Sequence, residues 1–279
     1  MSGGVIARTA RGFTAALGHA LISERAARQP GLLQALDPRV KLVGLLALVI
    51  AAALSRRIAV VVALLALGVL LALASRLSLW SLAQRVWLVV FGFTVMIAAP
   101  ALFLTPGEPW LQIAPRIAPR LAPWIPPITV QGARAATLLL VRVEAAVTLS
   151  TLLVLTTPWM HLLKALRALK FPVEAIMMLA MTHRYVVLLT ETASAMFESR
   201  QSRMVGRLDP RQERRLMVNS GGVLLSKTFE MGNQVFLAMQ ARGFRGEVRL
   251  LDEFHMRGRD YLALCALLAA AAIAVVAGR

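Results

Sequence analysis

Charged side chains are sparse in five stretches of this chain, at about 40–54, 58–74, 86–104, 129–157 and 261–277. A hydrocarbon layer about 30 Å thick needs roughly 20 apolar residues of helix, and shorter runs cross it with their flanks or a thinned bilayer. Helices and closed barrels alone satisfy their backbone in lipid. Of the 279 residues, 58% are apolar and 16% charged, where a soluble domain has about a quarter charged. The pattern predicts an all-α integral membrane protein with about five transmembrane helices. The opening residues lack the charged tip, short apolar core and small-residue cleavage site of a signal peptide, so insertion is expected to rely on the spans.

Residues 1–38 carry Arg8, Arg11, Arg25 and Arg28 among apolar neighbours and read as a cytoplasmic or interfacial segment. Asp37-Pro38 then marks a helix start, the aspartate as cap and the proline in the first turn. Residues 39–157 form a membrane region of four spans. Within it, residues 105–128 are an external loop, and 105–127 hold seven of the thirteen prolines. There Ala-Pro recurs at every fourth residue, which excludes a regular helix interior. Arg142 and Glu144 fall deep in the fourth span, where an ionisable side chain is costly and normally paired. Two residues apart on a helix, they do not face each other. Each is expected to find another partner, in this chain or in a neighbour, as an intramembrane contact.

From 158 to 256 the texture changes. Residues 158–259 hold sixteen of the thirty-one basic residues and nine of the fourteen acids. Pro158, Pro172 and Pro210 mark helix starts, predicting a short helix to about 170 and two long ones at about 172–206 and 210–242. Met217, Gly221, Leu224, Thr228, Met231, Val235 and Ala238 make a packing seam on the third. This stretch reads as a cytoplasmic coupling region with two long packed helices. Residues 257–279 supply the final transmembrane helix. Basic segments stay inside, so the N-terminus and coupling region are expected in the cytoplasm and the C-terminus outside a plasma (inner) membrane.

The formal charge of +17 follows from the same rule, and no basic stripe with stacking aromatics points to nucleic acid. No P-loop occurs. His19, His161, His183 and His255 stand apart without helical ligand spacing, and Met177, Met178 and Met181 sit at packing spacing. Neither a metal site nor a catalytic residue nor a cofactor is expected. Cys265 lies in an apolar run and has no partner for a disulfide.

Two helix ends remain. One carries Ser202-Arg203-Met204 and the other Ala241-Arg242-Gly243. A guanidinium between small or flexible neighbours can bind a carboxylate bidentately on a closely approaching protein surface. A helix C-terminus also favours positive charge on structural grounds alone. Two such ends on paired helices look like a two-pronged plug.

At these residues the chain resembles the transmembrane T component of energy-coupling factor (ECF) transporters, and within it the CbiQ family of cobalt uptake systems. Ala241-Arg242-Gly243 matches the family's Ala-Arg-Gly motif, and Ser202-Arg203-Met204 stands in the place of the other copy, keeping its central arginine. Leu36-Asp37-Pro38-Arg39 and Thr182-His183-Arg184-Tyr185 also look like the family, so the likeness runs from about 36 to 250. The resemblance implies a non-catalytic coupling subunit whose Arg203 and Arg242 sit in grooves on an ATP-binding cassette ATPase dimer. The long helices would carry motion to a substrate-binding membrane subunit, a CbiM-like S component, within the lipid bilayer. Cobalt is the substrate implied, with nickel, biotin or several vitamins as alternatives. An ion-coupled secondary transporter is the rival of another class. An ordinary importer permease is disfavoured because Glu144-Ala145-Ala146 lies inside a span, and a membrane enzyme because no nucleophile has a positioned base.

Overall fold

The computed structural model describes residues 31–76, 87–104, 109–111, 128–203, 209–244 and 256–279. The N-terminal arginines, most of the Pro-rich loop, Arg85, Met204 and His255 lie outside the described residues.

Eight helices and one small strand pair make up the described structure. They are α1 (Pro38–Leu54), α2 (Ile58–Ala74), α3 (Leu88–Leu104), α4 (Val130–Thr156), α5 (Trp159–Ala168), α6 (Val173–Arg203), α7 (Pro210–Ala241) and α8 (Gly258–Gly278). Strand β1 (Pro109–Leu111) pairs antiparallel with β2 (Ile128–Thr129). Three helices are long and apolar enough to cross a membrane by length and composition: α4, α8 and the stretch Val173–Arg200 of α6. Ile58–Ala74 and Val90–Pro100 are shorter apolar helices. The chain is an all-α membrane protein.

The described residues fall into two compact units. One comprises 31–162 with 256–279. Here α4 packs on α1, α2 and α3, and α8 lies along α1. Val40, Leu45 and Leu48 of α1, Val61 of α2, Leu149 and Leu152 of α4 and Ala271 of α8 form its core. Close approach of α1 and α8 depends on Gly44, where an added Cβ would come within 2.5 Å of Leu267 Cδ1.

Helix starts in this unit follow local chemistry. Asp37 caps α1 by accepting from the Arg39 N–H (2.8 Å), and Pro38 occupies the first turn, where a missing N–H costs nothing. Thr129 caps α4 through the Gly132 N–H (3.0 Å). Asp260 accepts from the Arg257 N–H (2.9 Å) at the start of α8 and from the Asp37 N–H (3.2 Å), joining the starts of α1 and α8.

The other unit contains α6 and α7. Before α6, α5 ends in a turn with Lys170 at φ 61°, and the Phe171 N–H returns to the Leu166 carbonyl (3.2 Å). Ala193 and Phe197 of α6 pack with Leu216, Met217 and Leu224 of α7. Of the seam expected along α7, Met217 and Leu224 join this cluster, Met231 and Val235 are half-buried, and Thr228 and Ala238 are exposed. The packing is a local crossing of two long helices.

Candidate functional site

Two arginine-bearing ends and one pair of intramembrane charges were legible as candidates. Arg203 is the last residue of α6 and is exposed, beside exposed Ser202, whose hydroxyl donates to the Glu198 carbonyl (3.0 Å). Arg242 caps the C-terminus of α7 and is exposed, as are Ala241 and Gly243.

The Ala-Arg-Gly stretch has a local cause. Gly243 adopts φ 78°, its N–H donates to the Gln240 carbonyl (2.9 Å), and the Phe244 N–H donates to the Met239 carbonyl (3.1 Å). That is a Schellman ending with glycine at C′, where a side chain is disfavoured. The chain turns sharply after Arg242 and leaves its guanidinium at the tip with nothing built beside Gly243. The end of α6 presents Arg203 without a described counterpart of Gly243.

A third arginine, Arg200, does different work. Its Nη1 donates to Ser220 Oγ (2.7 Å) and to the Leu216 carbonyl (3.3 Å), across the α6–α7 crossing. Ser220, 1% exposed, in turn donates to the Leu216 carbonyl (2.6 Å). The sequence reading gave the coupling role to Arg203 and none to Arg200. The available signal was spacing, since Ala193, Phe197 and Arg200 share one helical face. At 1.5 Å per residue, the clamp lies about 5 Å from Arg203 along α6 and about 33 Å from Arg242 along α7. Arg203 therefore lies close to the α6–α7 crossing and Arg242 far from it, at the C-terminal end of α7.

In the other unit, Arg142 and Glu144 part company. Arg142 Nη2 donates to the Ser55 carbonyl at the end of α1 (2.6 Å). Glu144 is 8% exposed, and neither carboxylate oxygen has a hydrogen-bond partner among the described residues. A second cation mirrors Arg142: Lys41, 2% exposed, donates from Nζ to the Thr156 carbonyl at the end of α4 (3.0 Å). Lys41 and Ser55 are fourteen residues apart, and so are Arg142 and Thr156. The equal spacing means α1 and α4 run antiparallel in register, each giving a cation to the other's C-terminal carbonyls, the negative end of the helix dipole. Lys41 was not singled out from the sequence.

Among the described residues, no group of three His, Cys, Asp or Glu side chains is placed to hold a metal ion. Cys265 is exposed on α8. In each unit the described cations lie at or against helix ends: Arg203 and Arg242 in one, Lys41 and Arg142 in the other.

Comparison with known proteins agrees with this outline. The family model described as cobalt transport protein, CbiQ, matches residues 31–251. An uncharacterised protein of Methanocaldococcus jannaschii is 28% identical over 241 residues, covering 85% of this chain and 80% of its own. The cobalt transport protein CbiQ of Rhodobacter capsulatus is 30% identical over 122 residues, 44% of this chain and 50% of its own.

Proposed function

The chain belongs to the CbiQ family of cobalt transport proteins, and from that premise we propose that it is the T subunit of an ECF-type importer. In this reading it couples a partner ATPase dimer to a substrate-binding membrane subunit and has no catalytic step of its own. The observation that carries it is the pair of exposed guanidinium groups, Arg203 and Arg242, ending two long helices that Arg200 clamps together.

Separate placement of the two tips suits two equivalent grooves, one on each ATPase subunit. A guanidinium offers a planar fork that pairs bidentately with a carboxylate, and small neighbours let the groove close around it. When ATP closes the dimer, the grooves move and the clamped helices transmit the displacement. Exposed Val186 and Leu188 on α6, and Val223, Phe229 and Phe236 on α7, offer apolar surface for the substrate-binding subunit. In this reading the coupling unit and the N-terminus face the cytoplasm of an inner membrane, which puts most of the basic residues inside and Arg56 and Arg57 at the opposite face. Cobalt is the preferred substrate, with nickel, biotin or a shared vitamin module as alternatives that the partner's identity decides.

A secondary transporter would need a path of ionisable groups near the midplane. Arg142 is committed to the end of α1, which favours coupling over that rival. The test is the double variant Arg203→Ala/Arg242→Ala in the assembled complex. Loss of ATPase co-purification and of ATP-driven cobalt uptake, with the protein still inserted and monodisperse, is expected. Full ATPase binding and uptake by the double variant would overturn the proposal.

A further inference from the structure

The turn between α1 and α2 gathers cations. Arg142 grips the carbonyl of Ser55, the residue just before Arg56 and Arg57 (2.6 Å). The Arg56 N–H donates to the Gly278 carbonyl in the last turn of α8 (2.8 Å). These contacts hold the Arg142 guanidinium, the Arg56-Arg57 turn and the end of α8 at one level of the bundle. Arg56 and Arg57 are exposed, Arg142 is half-buried, and no Asp or Glu side chain among the described residues pairs with any of the three.

Depth makes this unusual. Asp37 and Ser55 are eighteen residues apart, and so are Asp260 and Gly278, so α1 and α8 run parallel and in register between two polar levels. Eighteen residues of helix rise about 27 Å, against a hydrocarbon layer of about 30 Å. The arginine turn therefore lies at the far edge of the hydrocarbon, at the depth of the lipid headgroups. Directly below it the surface is apolar: Ile50 and Leu54 of α1 and Ile273 and Val276 of α8 are all at least half exposed. Cations at the rim above an open apolar wall match the two ends of a phospholipid. A soluble anion would use the first feature and leave the second bare. With no Asp or Glu side chain among the described residues paired to these arginines, the arrangement prefers a net-negative headgroup.

We propose that Arg56 and Arg57, on the turn that Arg142 holds through the Ser55 carbonyl, bind the phosphodiester of an anionic membrane phospholipid, whose acyl chains lie along the exposed faces of α1 and α8. Arginine is suited to this because its fork meets two phosphate oxygens at once. The lipid neutralises the turn and anchors the short helices at the headgroup level.

The test reconstitutes the full chain into nanodiscs of mixed phosphatidylglycerol and phosphatidylcholine and counts lipids retained in native mass spectrometry. At about 1 kcal/mol for each of Arg56 and Arg57 near an anionic surface, wild type should retain phosphatidylglycerol roughly thirtyfold over phosphatidylcholine. Arg56→Gln/Arg57→Gln should reduce that preference to below about twofold, while the control Arg214→Gln/Arg215→Gln on α7 keeps it. Arg57→Gln alone, which removes no side-chain hydrogen bond among the described residues, should show part of the loss. Equal retention by wild type, variants and control overturns the proposal. Displacement of the lipid by inorganic phosphate alone would also overturn it, in favour of a free-anion site.

Discussion

Lys41 lies in the first turn of α1 at 2% exposure, its Nζ held by the carbonyl of Thr156 at 3.0 Å. Its stem is packed like an aliphatic side chain and its head closes the end of α4. Arg142 does the same for α1 through Ser55. In both pairs a buried or half-buried charge is tolerated because a helix C-terminus supplies carbonyls that have no intrahelical partner. Lys41→Met keeps the stem and strands the Thr156 carbonyl in a dry site. It should cost about 1–3 kcal/mol, read as a lower thermal unfolding temperature of the purified protein in detergent. An unchanged unfolding temperature would remove the clamp from the account of stability. The sequence placed Arg142 and Glu144 where each needs a partner. Arg142 finds a backbone carbonyl, a group that no side-chain pattern marks, and Glu144 has none among the described residues.

At the scale of elements, helix ends decide more than helix bodies. Bodies follow from apolar runs and proline starts, and α1, α2, α7 and α8 begin within a few residues of where the pattern put them. The end of α7 depends on Gly243 at φ 78°. Gly243→Ala imposes roughly 1–2 kcal/mol of left-handed strain on that turn. It should fray the last turn of α7, seen as faster amide exchange at Gly243 and Phe244, and weaken ATPase co-purification while the membrane unit is unaffected. Gly243→Asn should be milder, since Asn tolerates this conformation better. A Gly243→Ala protein with wild-type exchange and ATPase binding would show that the sharp turn has no part in presenting Arg242. The α6–α7 contact was less legible. A continuous seam along α7 promised long packing, yet only Met217 and Leu224 of that seam join the crossing. A stripe of small and apolar residues states that a face can pack, and leaves open against what.

Across the whole molecule, packing is uneven in kind. The unit built around α4 has fully buried Leu, Val and Thr side chains shared among several helices, including Thr148, which accepts from the Trp87 indole N–H (3.3 Å). Among the described residues, the α6–α7 unit shows one small buried cluster and the Arg200–Ser220 clamp. Local stability follows the number of buried apolar neighbours. Amides of α7 beyond Thr228 should therefore exchange about tenfold faster than those of α4 near Leu149, with the difference shrinking when the ATPase is bound. Equal protection in the free protein would mean that α7 is held by contacts beyond this crossing.

Apolar run length, proline starts and charge distribution determined by themselves that this protein is a helical membrane protein, and the short motifs near Arg203 and Arg242 identified its family. These properties are local, because solvent preference and helix capping are set within a few residues of chain. Tertiary structure decided which charges meet which helix ends, that Arg200 rather than Arg203 ties α6 to α7, and that Arg56, Arg57 and Arg142 share one level. Those outcomes depend on register between helices far apart in sequence, and register is fixed only when the whole core packs at once.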